Sequence, residues 1–216
     1  MVVSGAGYLL SALSAVALAI GCFLLGSVNP AAILAKVLGK DIRGAGSGNP
    51  GATNAGRVLG AKWGILVLVL DVLKAYLPTL VLLRAVGLRV ALVGSLFIVL
   101  GHIFSPFLRG RGGKGVAAAL GAMLAVNPVL AALVIVVFAL LYAVVRFVGI
   151  ASVLVSVGLV VVGLLVGFGV ISGLAGLVDL SREEGWWLAV LGGIVLSRHQ
   201  RNLRAWWLRR RRAATS

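Results

Sequence analysis

The residues that could do chemistry gather in three polar stretches of an otherwise apolar chain. The first, Asp41-Ile-Arg-Gly-Ala-Gly-Ser-Gly-Asn-Pro-Gly-Ala-Thr-Asn-Ala-Gly-Arg57, is rich in glycine, hydroxyls, amides and arginine. Closely spaced glycines such as Gly48 let backbone N–H groups approach an oxyanion. Ser47, Asn49, Thr53 and Asn54 add neutral donors, and Arg43 and Arg57 add charge. That is equipment for holding phosphate, although a plain solvated connection between helices has much the same composition.

The second stretch is Gly101-His-Ile-Phe-Ser-Pro-Phe-Leu-Arg-Gly-Arg-Gly-Gly-Lys-Gly115. Lys114 follows Gly112 and Gly113 at the expected N-terminus of a helix, where free N–H groups and the helix dipole add to its pull on phosphate. It is not an NTPase loop, which would need glycine at Leu108 and Ser or Thr at Gly115. Arg109, Arg111 and Lys114 also suit simple membrane anchors. In the third stretch, Ser197 to Arg204, His199 and Asn202 share one helical face. His102, the only other histidine, sits near the end of a span, where a structural hydrogen-bonder competes with a base or a substrate contact. An acyltransferase of the soluble type would want aspartate five residues after its histidine, but Phe107 and Arg204 stand there.

Composition narrows the chemistry. The chain has five acidic residues, of which only Asp41 falls in one of these stretches, so paired-carboxylate catalysis and a carboxylate metal site are excluded. The expected site is cationic, with no metal and no cofactor. Cys22 is the single cysteine, so a disulfide framework is unavailable. The net charge of +15 suits anionic lipid headgroups; nucleic acid is not an expected partner.

The elements that must position these residues are membrane helices. The 216 residues are 61% hydrophobic and 12% charged, with a mean hydropathy of +1.14. Apolar runs of about 20 residues recur, each long enough to cross ~30 Å of hydrocarbon. The expected fold is all-α, a polytopic bundle in one domain covering 1–216, with 198–216 as a basic tail. A first span from about Tyr8 to Leu38 is kinked near Asn29-Pro30, and the next run 58–83 and 90–104. A short one follows at 116–126, and the rest at 128–145, 150–177 and 186–196.

Asp71 and Lys74, three apart within the second span, read as a mutually neutralising pair facing the bundle interior. Trp186 and Trp187 read as markers of one interface, and Trp206 and Trp207 as markers of the other. Seven spans place sixteen of the twenty Lys and Arg residues on one side, with Arg84, Arg89 and Arg182 opposite and Lys74 within a span. The charge rule then puts the polar stretches and the tail in the cytoplasm, and the N-terminus outside.

Taken together, the three stretches resemble the bacterial membrane acyltransferases that transfer an acyl group from acyl phosphate to glycerol 3-phosphate. The resemblance lies in Asp41-Ile-Arg…Gly-Ser-Gly-Asn-Pro-Gly-Ala-Thr-Asn…Arg57, Asp71-Val-Leu-Lys74, Gly101-His-Ile-Phe…Arg-Gly-Gly-Lys-Gly-Val-Ala117 and His199-x-x-Asn-Leu-x-Arg204. It implies a seven-helix fold in the bacterial inner membrane, with the site open to the cytoplasmic leaflet. Glycerol 3-phosphate and acyl phosphate are the implied substrates, membrane lipids the surroundings, and no stable protein partner is expected.

Carried onto matching positions, the resemblance implies phosphate and acyl-phosphate binding by Ser47, Gly48, Asn49, Thr53, Asn54 and Arg57. Lys114, His199, Asn202 and Arg57 become the catalytic set, with Arg43, Gly112, Gly113 and His102 as further substrate contacts. The chain departs from the family pattern where Ser105 precedes Pro106, at Gly110 and Ala118, and in lacking the Gly-x-Glu that usually follows the third stretch. A mixed anhydride needs no covalent help from the protein, so no acyl-enzyme is expected. The hydroxyl proton could go to His199 or to a substrate phosphate oxygen. A transporter of phosphate or an organic anion is the competing reading.

Overall fold

The computed structural model describes residues 5–174 and 176–200, with side chains from residue 12 onward. Asn202, Arg204, Trp206 and Trp207 lie outside the described residues, as does the rest of the tail from 201. Hydrocarbon offers the backbone no partner, so apolar runs must close their own hydrogen bonds, and nine α-helices result among the described residues.

The first run divides into α1 (Gly5–Ser27) and α2 (Pro30–Val37). Pro30 cannot continue a helix, and Asn29 turns the break into a cap by accepting the Ala32 N–H at 2.8 Å. The two axes meet at 41°. Then come α3 (Ala52–Val58), α4 (Ala61–Ala85) and α5 (Leu88–Ile103). A short 3-10 turn (Pro106–Leu108) leads to α6 (Val116–Val126) and α7 (Pro128–Val145). The α6–α7 break repeats the Asn-Pro device: Asn127 accepts the Leu130 N–H at 3.0 Å and Pro128 opens the next helix. The fourth and fifth apolar runs are therefore separate helices.

The sixth expected span is shorter than its apolar run. α8 (Val148–Gly167) stops ten residues early, and β1 (Gly173–Leu174) pairs antiparallel with β2 (Val178–Asp179) in a small hairpin. The last helix, α9 (Arg182–Ser197), starts earlier than its apolar residues do. Ser181 accepts the Glu184 N–H while Glu184 accepts the Ser181 N–H, a capping box that starts the helix at polar residues. Among the described residues, four helices are long and apolar enough to cross a membrane singly, and the bent α1–α2 pair would make a fifth.

Packing is close and built on small residues. α1 lies against α5, α4 against α3, α5 and α6, α7 against α6 and α8, and α8 against α9. At the α1–α5 crossing a Cβ on Gly101 would collide with Phe23 O, and one on Gly26 with Ile98 O. Trp187 corrects the reading of both tryptophans as interface markers. It is 3% exposed and donates from Nε1 to Ser95 Oγ at 2.9 Å, joining α9 to α5. Trp186 is exposed and packs edge-on against Phe168.

Candidate active site

The first polar stretch is a loop wound around one amide. Asn54 is buried at the start of α3, and its Nδ2 donates to Ile42 O at 2.9 Å and to Ala45 O at 3.2 Å. Its Oδ1 accepts the Ser47 N–H at 2.8 Å. Both amide hydrogens are thus used inside the loop, so Asn54 shapes the site and has no donor left for a ligand. The Gly48 N–H is likewise committed, to Ala45 O. Gly48 itself takes the left-handed φ of +67°, a turn that favours a residue without a Cβ. Asp41 accepts the Gly44 and Arg43 N–H groups, which lower its pKa, so it is an ionised turn residue and no candidate base.

Ser47, Thr53 and Arg57 are exposed, and Asn49 is half-buried. Thr53 and Arg57 are four apart on α3, so they share a face. Beside Thr53 a groove of about 280 Å³ runs between α3 and α4, lined otherwise by Ala52, Gly56, Ala61, Gly64, Ile65 and Leu68.

The second stretch is held by backbone bonds. Gly112 N–H donates to Ile103 O and Gly113 N–H to His102 O, so neither points at an anion. A Cβ on Gly112 would strike His102 O, and one on Gly113 the His102 ring. These glycines let the loop fold onto the end of α5, which fixes Lys114. His102, read as a structural hydrogen-bonder or a substrate contact, takes the first role: its Nδ1 is engaged by Lys74 of the buried pair and its ring packs against Gly113. Lys74 Nζ stands 2.8 Å from Asp71 Oδ1, 2.8 Å from His102 Nδ1 and 2.8 Å from Val28 O. One ammonium therefore links α4, α5 and the break after α1. The expected Asp71–Lys74 pair is present, and its attachment to the Lys114 loop through His102 is what the sequence did not reveal.

Lys114, Arg57 and His199 act on one another electrostatically. Burial, and next the nearby Arg57 charge, pull the Lys114 ammonium down to about 8. His199 is 1% exposed just past α9; burial lowers its pKa, its bond to Val195 raises it, and the Lys114 charge lowers it again. His199 Nδ1 lies 2.8 Å from Val195 O. A carbonyl only accepts, so Nδ1 carries the proton and the neutral ring keeps a lone pair on Nε2. Arg43 departs from this group: its Nη1 donates to Leu108 O at 3.3 Å, and it lines a different cavity with Arg109 and Arg111.

Two further contacts had not been expected from the sequence. Asn29 Nδ2 donates to Pro50 O at 3.0 Å, tying the α1 break to the first loop, and Ser105 Oγ donates to Ser27 O at 2.7 Å. Asn directly before Pro after an apolar run is a helix-start signal that could have found the first. The Ser105 contact had no local signal.

An apolar helical bundle carrying a cationic, hydroxyl-bearing cluster on its polar loops is the architecture of an integral membrane protein that handles phosphate esters. The model of the glycerol-3-phosphate acyltransferase family matches residues 16–208, and the chain belongs to that family. It is 34% identical to the glycerol-3-phosphate acyltransferase of Aquifex aeolicus over 88% of this chain and 94% of that one. It is 47% identical to that of Geotalea daltonii over 65% and 73%. A crystal structure of PlsY, an integral membrane glycerol 3-phosphate acyltransferase in its glycerol 3-phosphate form, superimposes with a TM-score of 0.77 at 35% identity. It covers 88% of this chain and 90% of that one. The lysophosphatidic acid form matches with a TM-score of 0.73 at 34% identity and the same coverage. Family membership sets the transporter reading aside.

Proposed function

We propose that this chain takes a fatty acyl group from acyl phosphate and transfers it to the 1-hydroxyl of glycerol 3-phosphate, releasing phosphate and lysophosphatidic acid. The observation that carries the reading is the cluster of Lys114, Arg57 and a neutral His199 with an unprotonated Nε2. Arg57 and Lys114 offset the repulsion between two phosphates and stabilise charge on the leaving group, with Ser47, Asn49 and Thr53 as neutral donors. The hydroxyl oxygen attacks the acyl carbonyl carbon as its proton passes to His199 Nε2. The tetrahedral intermediate then breaks the carbon–oxygen bond to phosphate, which leaves with the proton that His199 returns to it. The spacing of Asn202, three residues after His199, assigns it to the acceptor side by the family resemblance. No nucleophilic side chain enters the scheme.

The groove from Thr53 along α3 and α4 fits the donor's acyl chain, because it begins at a hydroxyl and continues over alanine, glycine and aliphatic side chains. Orientation follows from charge: Lys and Arg concentrate at the ends of the helices that carry the polar loops. The site then faces the cytoplasm from a bacterial inner membrane. Seven crossings, by α1, α4, α5, α6, α7, α8 and α9, give this distribution, with the N-terminus outside and residues 1–216 working as one unit without a stable partner.

The test is turnover by purified protein in lipid with palmitoyl phosphate and glycerol 3-phosphate, reading phosphate and lysophosphatidic acid. Metal-independent activity should need both substrates and collapse in Arg57→Ala and Lys114→Ala. His199→Gln should lose about 10²–10⁴-fold in kcat, the worth of a positioned base. Activity with an acyl thioester and none with acyl phosphate would refute the donor assignment. His199→Gln within a few-fold of wild type would move the proton to the substrate's own phosphate.

A further inference from the structure

We infer that the cavity formed by Arg43, Phe107, Leu108, Arg109 and Arg111 is a second anion site, one that takes the phosphodiester headgroup of an anionic phospholipid. It has a volume of about 400 Å³ and includes none of Arg57, Lys114 or His199. Three guanidinium groups line it, and Arg43 is anchored to Leu108 O, which closes one wall. The remaining wall is a rigid turn. Leu108 N–H bonds Ser105 O, Arg109 N–H bonds Pro106 O, Gly110 N–H bonds Ser105 O, and Arg111 N–H bonds Leu108 O.

With those backbone donors committed, what the turn offers a ligand is its side chains. Arg109 is held at φ 53° and ψ 45°, a left-handed conformation that ordinarily favours glycine or asparagine. An arginine in place of glycine at this left-handed cap adds a guanidinium to the cavity lining.

The mixture of groups selects the ligand. Phe107 is 67% exposed in the same cavity, and Phe104, at the end of α5, is 46% exposed beneath the Arg198 guanidinium. Exposed aromatic rings beside arginines, where an apolar helix ends, match the depth at which a lipid's phosphate meets its acyl chains. A soluble phosphate ester would use the arginines and leave Phe107 without a role. A phospholipid uses both.

The full-length protein would be exposed in detergent to equimolar phosphatidylglycerol and phosphatidylcholine, and retained lipid read by native mass spectrometry. Wild type should retain phosphatidylglycerol preferentially. The double variant Arg109→Gln/Arg111→Gln should lose that preference by about thirtyfold or more, from about 1 kcal/mol or more for each charge-assisted arginine–phosphate bond. The equal-charge control Lys40→Gln/Lys62→Gln should keep it. Equal loss in both variants would mean diffuse surface attraction and overturn the site. Displacement of the lipid by millimolar glycerol 3-phosphate would give the cavity to the soluble phosphate ester and overturn the lipid assignment.

Discussion

The half-buried Lys114 predicts a pH profile that can be worked out from the structure. In the unliganded protein its ammonium loses its proton near pH 8, against a usual 10.5, because it is buried and faces Arg57. The phosphate of glycerol 3-phosphate becomes a dianion above about pH 6. The complementary pair, dianion and ammonium, is therefore most abundant near pH 7, between those two values. Above pH 8 each further unit of pH leaves about tenfold less charged Lys114, and KM for glycerol 3-phosphate should rise about tenfold per unit.

Lys114→Arg keeps its charge throughout this range and should abolish the alkaline rise while leaving the acid limb in place. Wild-type binding offers a readout that does not depend on the arginine fitting. At pH 8.5 about three quarters of Lys114 is neutral in the free protein, and a bound dianion restores its charge, so binding should take up about 0.7 proton. Titration calorimetry in buffers of different ionisation enthalpy measures that number. An uptake near zero, or an unchanged alkaline limb in Lys114→Arg, would refute the reasoning.

The same shift has a definite sign for folding. Below pH 8 Lys114 is protonated in both states and the cost of burying its charge is fully present. Between pH 8 and 10.5 only the unfolded chain holds the proton, so this residue's contribution to stability rises with pH. Lys114→Met should accordingly raise the melting temperature of the unliganded protein at pH 7 while destroying activity; a lower melting temperature would contradict the burial argument.

Three other outcomes follow from particular contacts. Lys74→Met leaves Asp71, 2% exposed, without its 2.8 Å partner and should cost about 3–5 kcal/mol, read as lost resistance to denaturation in detergent. Asp71→Leu/Lys74→Met should recover part of that loss, and failure to do so would mean the pair is needed for its hydrogen bonds to Val28 and His102. Asn54→Ala should cost about 1–3 kcal/mol by orphaning Ser47 N–H, and amide exchange at Ser47 should speed up while the long helices stay protected. Gly121→Val drives a Cβ into Val72 O and should force α6 off α4, whereas Gly158→Val, with nothing within 4 Å, should fold normally; similar yields of both would dispute the close packing of α4 and α6.

The surrounding solvent and the helices were legible in the residues alone, as was the grouping of polar residues expected to meet an anion. Apolar runs of bilayer length dictate helices, because hydrocarbon leaves the backbone no other partner. Asn29-Pro30 and Asn127-Pro128 break those runs wherever they fold, since the missing N–H and the capping amide are local properties. The scarcity of acids and the grouping of Gly, Ser, Thr, Asn, Arg and Lys marked an anion site before any geometry was known.

Folding sets which of those groups are used up by bonds within the protein. Asn54 and the glycines at 112 and 113 look like donors in a list, yet their N–H groups bond carbonyls that only the folded loops bring within reach. His102 is drawn to Lys74, 28 positions away, and Ser105 to Ser27, 78 positions away. The end of the sixth helix at Gly167 was also hidden, since an apolar run records that residues avoid water and not where the chain turns into a hairpin. Local preferences act over a few residues. The choice between shaping the site and touching the substrate depends on which donors remain unpaired once distant segments have met.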